Sequence, residues 1–157
     1  MRLEYFQLID RIVDLNLDQQ TIRTEAIVPK TSTIFEGHFP GYPLMPGVLL
    51  IEAMAQTSGW LVIGLTRFTR MPFLVAVKEA KLRSFVPPEQ VLSLSAKLVH
   101  EGSGFAVTRA EIKTDGKLVC NAEITFRVME FPNPDFRTSM ERAARLLAFP
   151  TEALVHD

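Results

Sequence analysis

The sequence predicts an α+β domain in which a curved antiparallel sheet wraps around one long central helix. Three observations support this fold class. The segment from Gly47 to Leu65 is apolar nearly all around a helix and therefore needs cover on almost every side. Four strand-like segments separated by turn signals follow it, which is typical of an antiparallel sheet. A chain of 157 residues has the length of one domain with one core.

The part of the chain before the central helix predicts a short turn, two strands and an irregular loop. Leu3 to Leu17 has a mixed apolar pattern that we interpret as a turn followed by a strand. Thr21 to Val28 alternates apolar and polar side chains, as a half-exposed strand does, and Pro29 ends this pattern. The prolines and glycines of Thr31 to Pro46 predict a loop without regular structure.

The part after the central helix predicts four strands in an antiparallel meander. The helix should end near Gly64, and the pair Asp115-Gly116 predicts a tight hairpin. One sheet leaves part of the helix uncovered, so we expect a second copy of the chain to complete the cover as a homodimer. The predicted strands are Phe73 to Val86, Val91 to His100, Phe105 to Lys113 and Lys117 to Met129.

The end of the chain predicts a separate extension. We expect a domain at residues 1–130 and a C-terminal extension at 131–157 that holds a short amphipathic helix. Thr138 or Ser139 would cap this helix. Its apolar face is expected to pack on the surface or on a neighbouring subunit, and it contains Met140, Ala143, Ala144 and Leu147.

Composition excludes several classes of function. With 17 basic and 18 acidic residues the net charge is −1, so no bulk field favours nucleic acid or an anionic membrane. A membrane span through Gly47 to Leu65 is disfavoured because Glu52 near a bilayer centre costs about 2.5–3.5 kcal/mol. The single Cys120 and the lack of a signal-peptide pattern in Met1 to Asp10 predict a cytoplasmic protein. No metal site is expected, because no second His or Cys lies at ligand spacing near His38.

The residues that carry chemistry are His38 and Glu52. His38 lies in a loop stiffened by glycine and proline, just before the start of the central helix. Glu52 lies inside that helix, where an ionised carboxylate carries a desolvation cost and normally has a partner or a raised pKa. A histidine and such a carboxylate are the usual groups for acid–base catalysis.

The stretch around these two residues resembles a known signature. Residues Gly37 to Gln56 read GHFPGYPLMPGVLLIEAMAQ, which is similar to the GHFPxxPxMPGVLxxEAMAQ pattern of the FabZ-type dehydratases of fatty-acid synthesis. Looser similarity extends over Tyr5 to Arg127, through LIDRIV at Leu8 and AKLRSFVPPEQ at Ala80. The resemblance implies the hotdog fold, dimers with a continuous sheet that can assemble into a trimer of dimers, no cofactor, and an acyl tunnel at the dimer interface.

The resemblance also implies a reaction and residue roles. A (3R)-hydroxyacyl chain on acyl carrier protein would lose water to give the trans-2-enoyl product. His38 would remove the C2 proton, and Glu52 of the partner subunit would protonate or position the leaving hydroxyl. Backbone amides at Gly47 and Val48 would hold the thioester oxygen, because a helix N-terminus offers free N–H groups. From its place one turn beyond Glu52, Gln56 would position the carboxylate, or would only cap a polar void.

Further side chains are candidates for binding the carrier protein and the acyl chain. Lys81 and Arg83 would face the acidic carrier protein, on the strand face opposite to Lys78 by simple alternation. An ordinary solvated basic rim is the alternative interpretation of these two residues. Apolar candidates for an acyl tunnel, or for plain core packing, are Met54, Trp60, Phe73 and Phe85.

Two departures from the family pattern bear on the substrate. The family's His-Arg-x-Pro-Phe opening is replaced by Glu4-Tyr5-Phe6-Gln7-Leu8, and the extension after Met129 is longer than usual. We therefore expect a specialised pathway with longer acyl chains. Glu52 argues against the related dehydratase/isomerases, which carry aspartate in the helix. A hotdog thioesterase and a non-catalytic acyl-binding subunit remain the alternatives.

Overall fold

The computed structural model describes residues 1–150 and 152, and it confirms the predicted fold class. A 3-10 turn at Leu3–Tyr5 precedes a six-stranded sheet and three helices. The strands are β1 (Arg11–Asn16), β2 (Thr21–Ile27), β3 (Met71–Leu82), β4 (Val91–Gly102), β5 (Phe105–Thr114) and β6 (Lys117–Met129). The helices are α1 (Thr33–Gly37), α2 (Gly47–Leu65) and α3 (Pro134–Leu146).

The sheet is antiparallel throughout, in the order β1-β2-β4-β5-β6-β3. The predicted meander is correct for β4, β5 and β6 but wrong for β3, which pairs with β6 at the far edge. The reason is the connection at residues 83–90, which crosses from the β3 edge of the sheet to β2. Strand β4 therefore pairs with β2 and not with β3. The predicted hairpin is confirmed, with positive φ angles of 49° at Asp115 and 78° at Gly116.

Strand β3 differs from the prediction in where it ends and in which side chains share a face. It ends at Leu82 rather than at Val86, because the carbonyl of Val86 already accepts a 2.8 Å hydrogen bond from the amide of Met45. A bulge also lies between Lys78 and Lys81, which pair with Glu123 and Asn121 of β6. Residues two apart on β6 share a face, so Lys78 and Lys81 lie on the same face rather than on opposite ones.

The central helix α2 lies inside the curve of the sheet, in contact with β2 to β6. Its two buried polar side chains are satisfied by the sheet: Thr57 Oγ1 lies 2.9 Å from Thr24 Oγ1, and Thr108 Oγ1 donates to Ser58 Oγ at 2.8 Å. Among the described helices, α2 alone is long and apolar enough to span a membrane, and 67% of its most apolar stretch is buried within the domain. It is the core helix of this domain.

The loop predicted at Thr31 to Pro46 is not irregular throughout, because it contains α1. Ser32 caps this short helix, with its side chain accepting a 3.1 Å hydrogen bond from the amide of Ile34. The carboxylate of Glu4, far away in the sequence, binds the same helix start. This long-range contact stabilises a helix that proline and glycine content alone argues against.

The C-terminal helix α3 begins at Pro134, four or five residues before the predicted cap at Thr138 or Ser139. Asn133 is the N-cap instead, since its Oδ1 accepts a 2.8 Å hydrogen bond from Phe136 N and Pro134 then opens the helix. Helix α3 packs on the core of its own chain. Ala144 is buried, and the carbonyl of Leu147 accepts a 2.7 Å bond from the amide of Ile12 in β1. Residues 151 and 153–157 of the predicted extension lie outside the described residues.

Candidate active site

His38 directly follows α1 and is held in one orientation. Its Nδ1 lies 3.0 Å from the carbonyl oxygen of Leu44. A carbonyl oxygen only accepts hydrogen bonds, so we assign the proton to Nδ1, which leaves Nε2 of the neutral ring with a free lone pair. The ring is half-buried and stacks on the ring of Phe39, with 4.1 Å between centroids. His38 is therefore oriented to accept a proton at Nε2.

The loop that carries His38 is fixed at both sides of the residue. The amide of His38 donates to the carbonyl of Ile34 at 3.0 Å, and the carbonyl of His38 accepts from the amide of Leu44 at 3.0 Å. These backbone bonds join α1 to the segment that leads into α2. The position of His38 thus depends on α1 being formed.

Glu4 anchors α1, and sequence analysis did not identify this role. Its Oε1 accepts hydrogen bonds from Ser32 Oγ at 2.7 Å, from Thr33 N at 2.9 Å and from Thr33 Oγ1 at 3.1 Å. The hydroxyl of Ser32, followed by the backbone amides of Glu4 and Thr33, lowers the pKa of Glu4 from 4.5 to about 2. The only available signal was the departure from the family's opening residues, which did not show where Glu4 binds.

Glu52 and Gln56 form the second part of the site, one helical turn apart on α2. Gln56 Nε2 donates to Glu52 Oε1 at 3.2 Å and to the carbonyl of Phe6 at 2.8 Å. Gln56 Oε1 accepts from the amide of Leu8 at 3.1 Å. Gln56 therefore ties the Glu52 carboxylate to the N-terminal segment. This fixed carboxylate has the partner that its place in an apolar helix requires.

The half-buried Glu52 lies in the wall of a cavity of about 390 Å³. The cavity extends along one side of α2, past Trp60 to Ile63, and its wall includes Ala143 of α3 and Leu147, the residue that follows α3. Of the four predicted acyl-tunnel candidates, Trp60 lines this cavity, while Met54 is fully buried in the core. A carboxylate at the margin of an apolar cavity of this size is a typical site for a small organic ligand.

His38 and Glu52 are not brought together in one described chain. The residues lining the cavity at Glu52 include the N-terminal segment, α2, β3, β6 and α3, but among the described residues they do not include His38. The two predicted catalytic residues therefore occupy separate positions on the same domain.

The start of α2 offers backbone donors beside an apolar surface. The first helical hydrogen bonds are donated to the carbonyl of Pro46 by the amides of Leu49, at 3.0 Å, and of Leu50, at 3.2 Å. The amides of Gly47 and Val48 precede these bonds at the positive end of the helix. The side chain of Val48 is 72% exposed. A side chain at Gly47 would meet Cδ1 of Leu82, the far end of an exposed side chain that would have to turn away.

The two predicted carrier-binding residues flank Leu82. Lys81 is exposed, and Arg83 Nε donates to Asn121 Oδ1 at 3.1 Å. Leu82 packs over Gly47 and pairs with the buried Cys120, whereas Lys81 pairs with Asn121 on the outer face of the sheet. The structure thus places both basic groups on the outer face, next in sequence to Leu82 but not at the backbone amides of Gly47 and Val48.

A metal site and a cysteine nucleophile have little support in the described part of the chain. Within residues 1–150 and 152, no group of three His, Cys, Asp or Glu side chains is arranged to hold a metal ion. Burial raises the pKa of the Cys120 thiol to about 11, although a hydrogen bond with the backbone of Ile112 opposes the shift. This thiol is therefore a poor nucleophile at neutral pH.

Comparison with known proteins places these features in a family. A family model described as a FabA-like domain matches residues 2–123. The chain is 36% identical over 121 residues to the 3-hydroxyacyl-[acyl-carrier-protein] dehydratase FabZ of Lactiplantibacillus plantarum, covering 76% of this chain and 82% of that protein.

Solved structures share the fold at lower identity. The dehydratase heterocomplex ApeI:P of Xenorhabdus doucetiae matches with a TM-score of 0.62 and 16% identity, covering 87% of this chain and 90% of that one. A hypothetical thioesterase of Streptococcus pneumoniae, solved with coenzyme A, matches with a TM-score of 0.61 and 18% identity, covering 78% and 90%. The family match, the FabZ relative and the helix wrapped in a sheet agree: this chain belongs to the FabA-like family of hotdog-fold proteins.

Proposed function

We propose that this protein is a hydro-lyase that dehydrates (3R)-hydroxyacyl-[acyl-carrier-protein] to the trans-2-enoyl product in fatty-acid or related lipid synthesis. One observation carries the proposal most directly. Glu52 lies in the wall of an apolar cavity with its carboxylate bound to Gln56, in a chain 36% identical to a named dehydratase of this reaction. Carboxyl and imidazole groups are the pair that this elimination requires.

In the proposed mechanism the two residues act on adjacent carbons. Nε2 of neutral His38 removes a proton from C2, next to the thioester carbonyl. The electrons of that C–H bond form the C2–C3 double bond, while the C3–O bond breaks. The protonated carboxyl of Glu52 delivers its proton to the leaving hydroxyl, which departs as water. Hydration reverses each transfer, and no cofactor takes part.

The oxygen of the thioester carbonyl gains negative charge as C2 loses its proton. The amides of Gly47 and Val48, at the positive end of α2, are the proposed donors to this oxygen. Support comes from their position before the first helical hydrogen bonds, at the end of α2 where the backbone N–H groups have no acceptor within the helix. Gln56 is proposed to position the carboxylate of Glu52.

We propose that the working site forms between two copies of the chain, with His38 of one copy facing Glu52 of the other. Two features support this. Within the described residues His38 does not line the cavity at Glu52. Strand β3 lies at a sheet edge and exposes apolar side chains, Leu74 at 45% and Val75 at 52%, which a second β3 could cover. A trimer of dimers is the proposed larger assembly.

The proposed partner is an acyl carrier protein, bound near Lys81 and Arg83. These basic groups on the outer face of the sheet, on either side of Leu82 in the sequence, would attract an acidic carrier. A cytoplasmic location is proposed because the buried Cys120 is a free thiol, which is usual in a reducing compartment.

A thioesterase or a non-catalytic acyl-binding subunit would share this fold. The thioesterase neighbours are below 20% identity, so their likeness shows the fold and does not favour hydrolysis here. Mass spectrometry of a (3R)-hydroxyacyl carrier substrate separates the three functions. The wild type should interconvert hydroxyacyl and trans-2-enoyl forms, while His38→Ala and Glu52→Gln should not. Release of free acid would support the thioesterase, and no turnover at any chain length would support the binding subunit.

A further inference from the structure

The cavity beside Glu52 has a polar end and an apolar end. Four of its residues form a stripe along α2 at helical spacing: Glu52, Gln56, Trp60 and Ile63. At ~1.5 Å per residue, Glu52 and Ile63 lie about 16 Å apart along the helix axis. Polar side chains in the lining are Gln7, Glu52 and Gln56, near the first part of this stripe. Beyond Gln56 the lining is apolar, so the cavity suits a ligand with a polar head and a long apolar tail.

The apolar end of the cavity is built by the C-terminal extension. Met140 and Ala143 of α3 line it, together with Leu147, the residue that follows the helix. The segment after α3 returns to the end of α2, where the ring of Phe149 lies 5.9 Å from the ring of Trp60. Phe149 would also contact a side chain at Gly64. The chain after α3 is thereby held against the last turns of α2, away from Glu52.

We propose that α3 is the wall that sets acyl-chain length: the tail of the substrate lies along α2 and ends against Met140, Ala143 and Leu147. This inference rests on the proposed dehydratase function for the identity of the head group at Glu52. It assigns the substrate class as acyl chains long enough to pass Trp60, well beyond four carbons. The small side chain of Ala143 leaves space that a longer tail fills.

Kinetics on two chain lengths test the proposal. Ala143→Phe fills the apolar end of the cavity, and Thr138→Phe places the same side chain on the exposed side of α3 as a matched control. For Ala143→Phe we expect kcat/KM on the 3-hydroxydodecanoyl carrier to fall by about tenfold or more, with the 3-hydroxybutyryl value within about twofold of wild type. Thr138→Phe should leave both unchanged. If Ala143→Phe and wild type showed the same ratio of kcat/KM on the two substrates, the proposal that α3 sets acyl-chain length would be overturned.

A binding measurement makes this test independent of catalysis. Trp60 is the only tryptophan of the chain and lines the cavity, so its fluorescence reports occupancy. Dodecanoyl-pantetheine, which has no hydroxyl to eliminate, should change the emission of wild type and Thr138→Phe saturably, whereas butyryl-pantetheine should not. Ala143→Phe should lose the dodecanoyl response, and a response equal to that of wild type would refute the role of α3. If wild type shows the response but dehydrates nothing, the proposed function fails while the acyl site stands.

Discussion

Gln56 holds the carboxylate of Glu52 through a 3.2 Å hydrogen bond across one turn of α2. The same amide group binds the carbonyl of Phe6, so one side chain joins the proposed acid to the N-terminal segment. Replacing Gln56 by Leu should lower kcat by about tenfold to a hundredfold with little change in KM, because loss of a supporting hydrogen bond misplaces a catalytic group.

A matched control separates positioning from stability. Thr24→Val removes a buried hydroxyl that lies 2.9 Å from Thr57 on the other side of α2. Both variants should show a lower Tm, but Thr24→Val should keep the wild-type kcat at temperatures below its Tm. Equal kcat losses in the two variants would show that Gln56 acts only through stability.

Mixing two inactive variants tests the shared site. The His38→Ala and Glu52→Gln variants are mixed, and a mixed dimer contains one copy of each. Such a dimer has one intact pair of His38 and Glu52 if the two residues of a site come from different subunits. Random exchange of equal amounts should then restore about one quarter of wild-type activity, because half of the dimers are mixed and each has one working site. A site within one subunit predicts no recovery after denaturation and joint refolding.

The edge strand β3 gives a prediction about assembly. Val75→Glu introduces a charge on an exposed apolar side chain of this edge, and it should convert the dimer to monomer in light-scattering measurements. Activity should fall with dimer content. Val99→Glu on β4, with a similar exposure of 49%, is the control and should remain dimeric. A dimeric Val75→Glu variant would place the interface elsewhere.

Gly47 has two roles that can be separated. Gly47→Ala should lower the Tm only slightly, because the added methyl group meets Cδ1 of Leu82, the far end of a 52% exposed side chain that can turn away. Adding Leu82→Ala should recover the Tm, since it removes the collision. We expect kcat/KM to stay low in the double variant, where the methyl group still blocks the approach of the thioester. If the double variant recovered the full wild-type kcat/KM, Gly47 would serve packing only and would have no role in the approach of the thioester.

The lowered pKa of Glu4 predicts a pH-dependent contribution to stability. Ionised Glu4 binds Ser32 and Thr33, so its contribution is complete above the unfolded value of 4.5 and is lost as the pH falls toward about 2. Glu4→Gln should therefore be less stable than wild type in urea unfolding at pH 7, and the difference should shrink between pH 4.5 and pH 2. Glu36→Gln, at an exposed position in α1, should show no such convergence. A constant difference across this pH range would contradict the role of the Glu4 charge.

Local pattern was enough to predict the parts of this protein that depend on neighbouring residues in the chain. The uninterrupted apolar run predicted α2, period-two alternation predicted β2, and Asp115-Gly116 predicted the last hairpin. The spacing of His38 and Glu52 in one motif pointed to the same family that the comparisons show. These features follow from sterics and hydrophobic periodicity within short stretches.

Only the tertiary structure decided the features built from distant residues. Glu4 reaches Ser32 across 28 positions, and Gln56 reaches Phe6 across 50. The first contact turns a predicted loop into α1, and the second fixes a carboxylate. The pairing of β3 with β6 and the packing of α3 on the cavity likewise depend on where remote segments meet. Periodicity records which face of an element is apolar, but it does not record which partner covers that face, and this choice is made by packing of the whole chain.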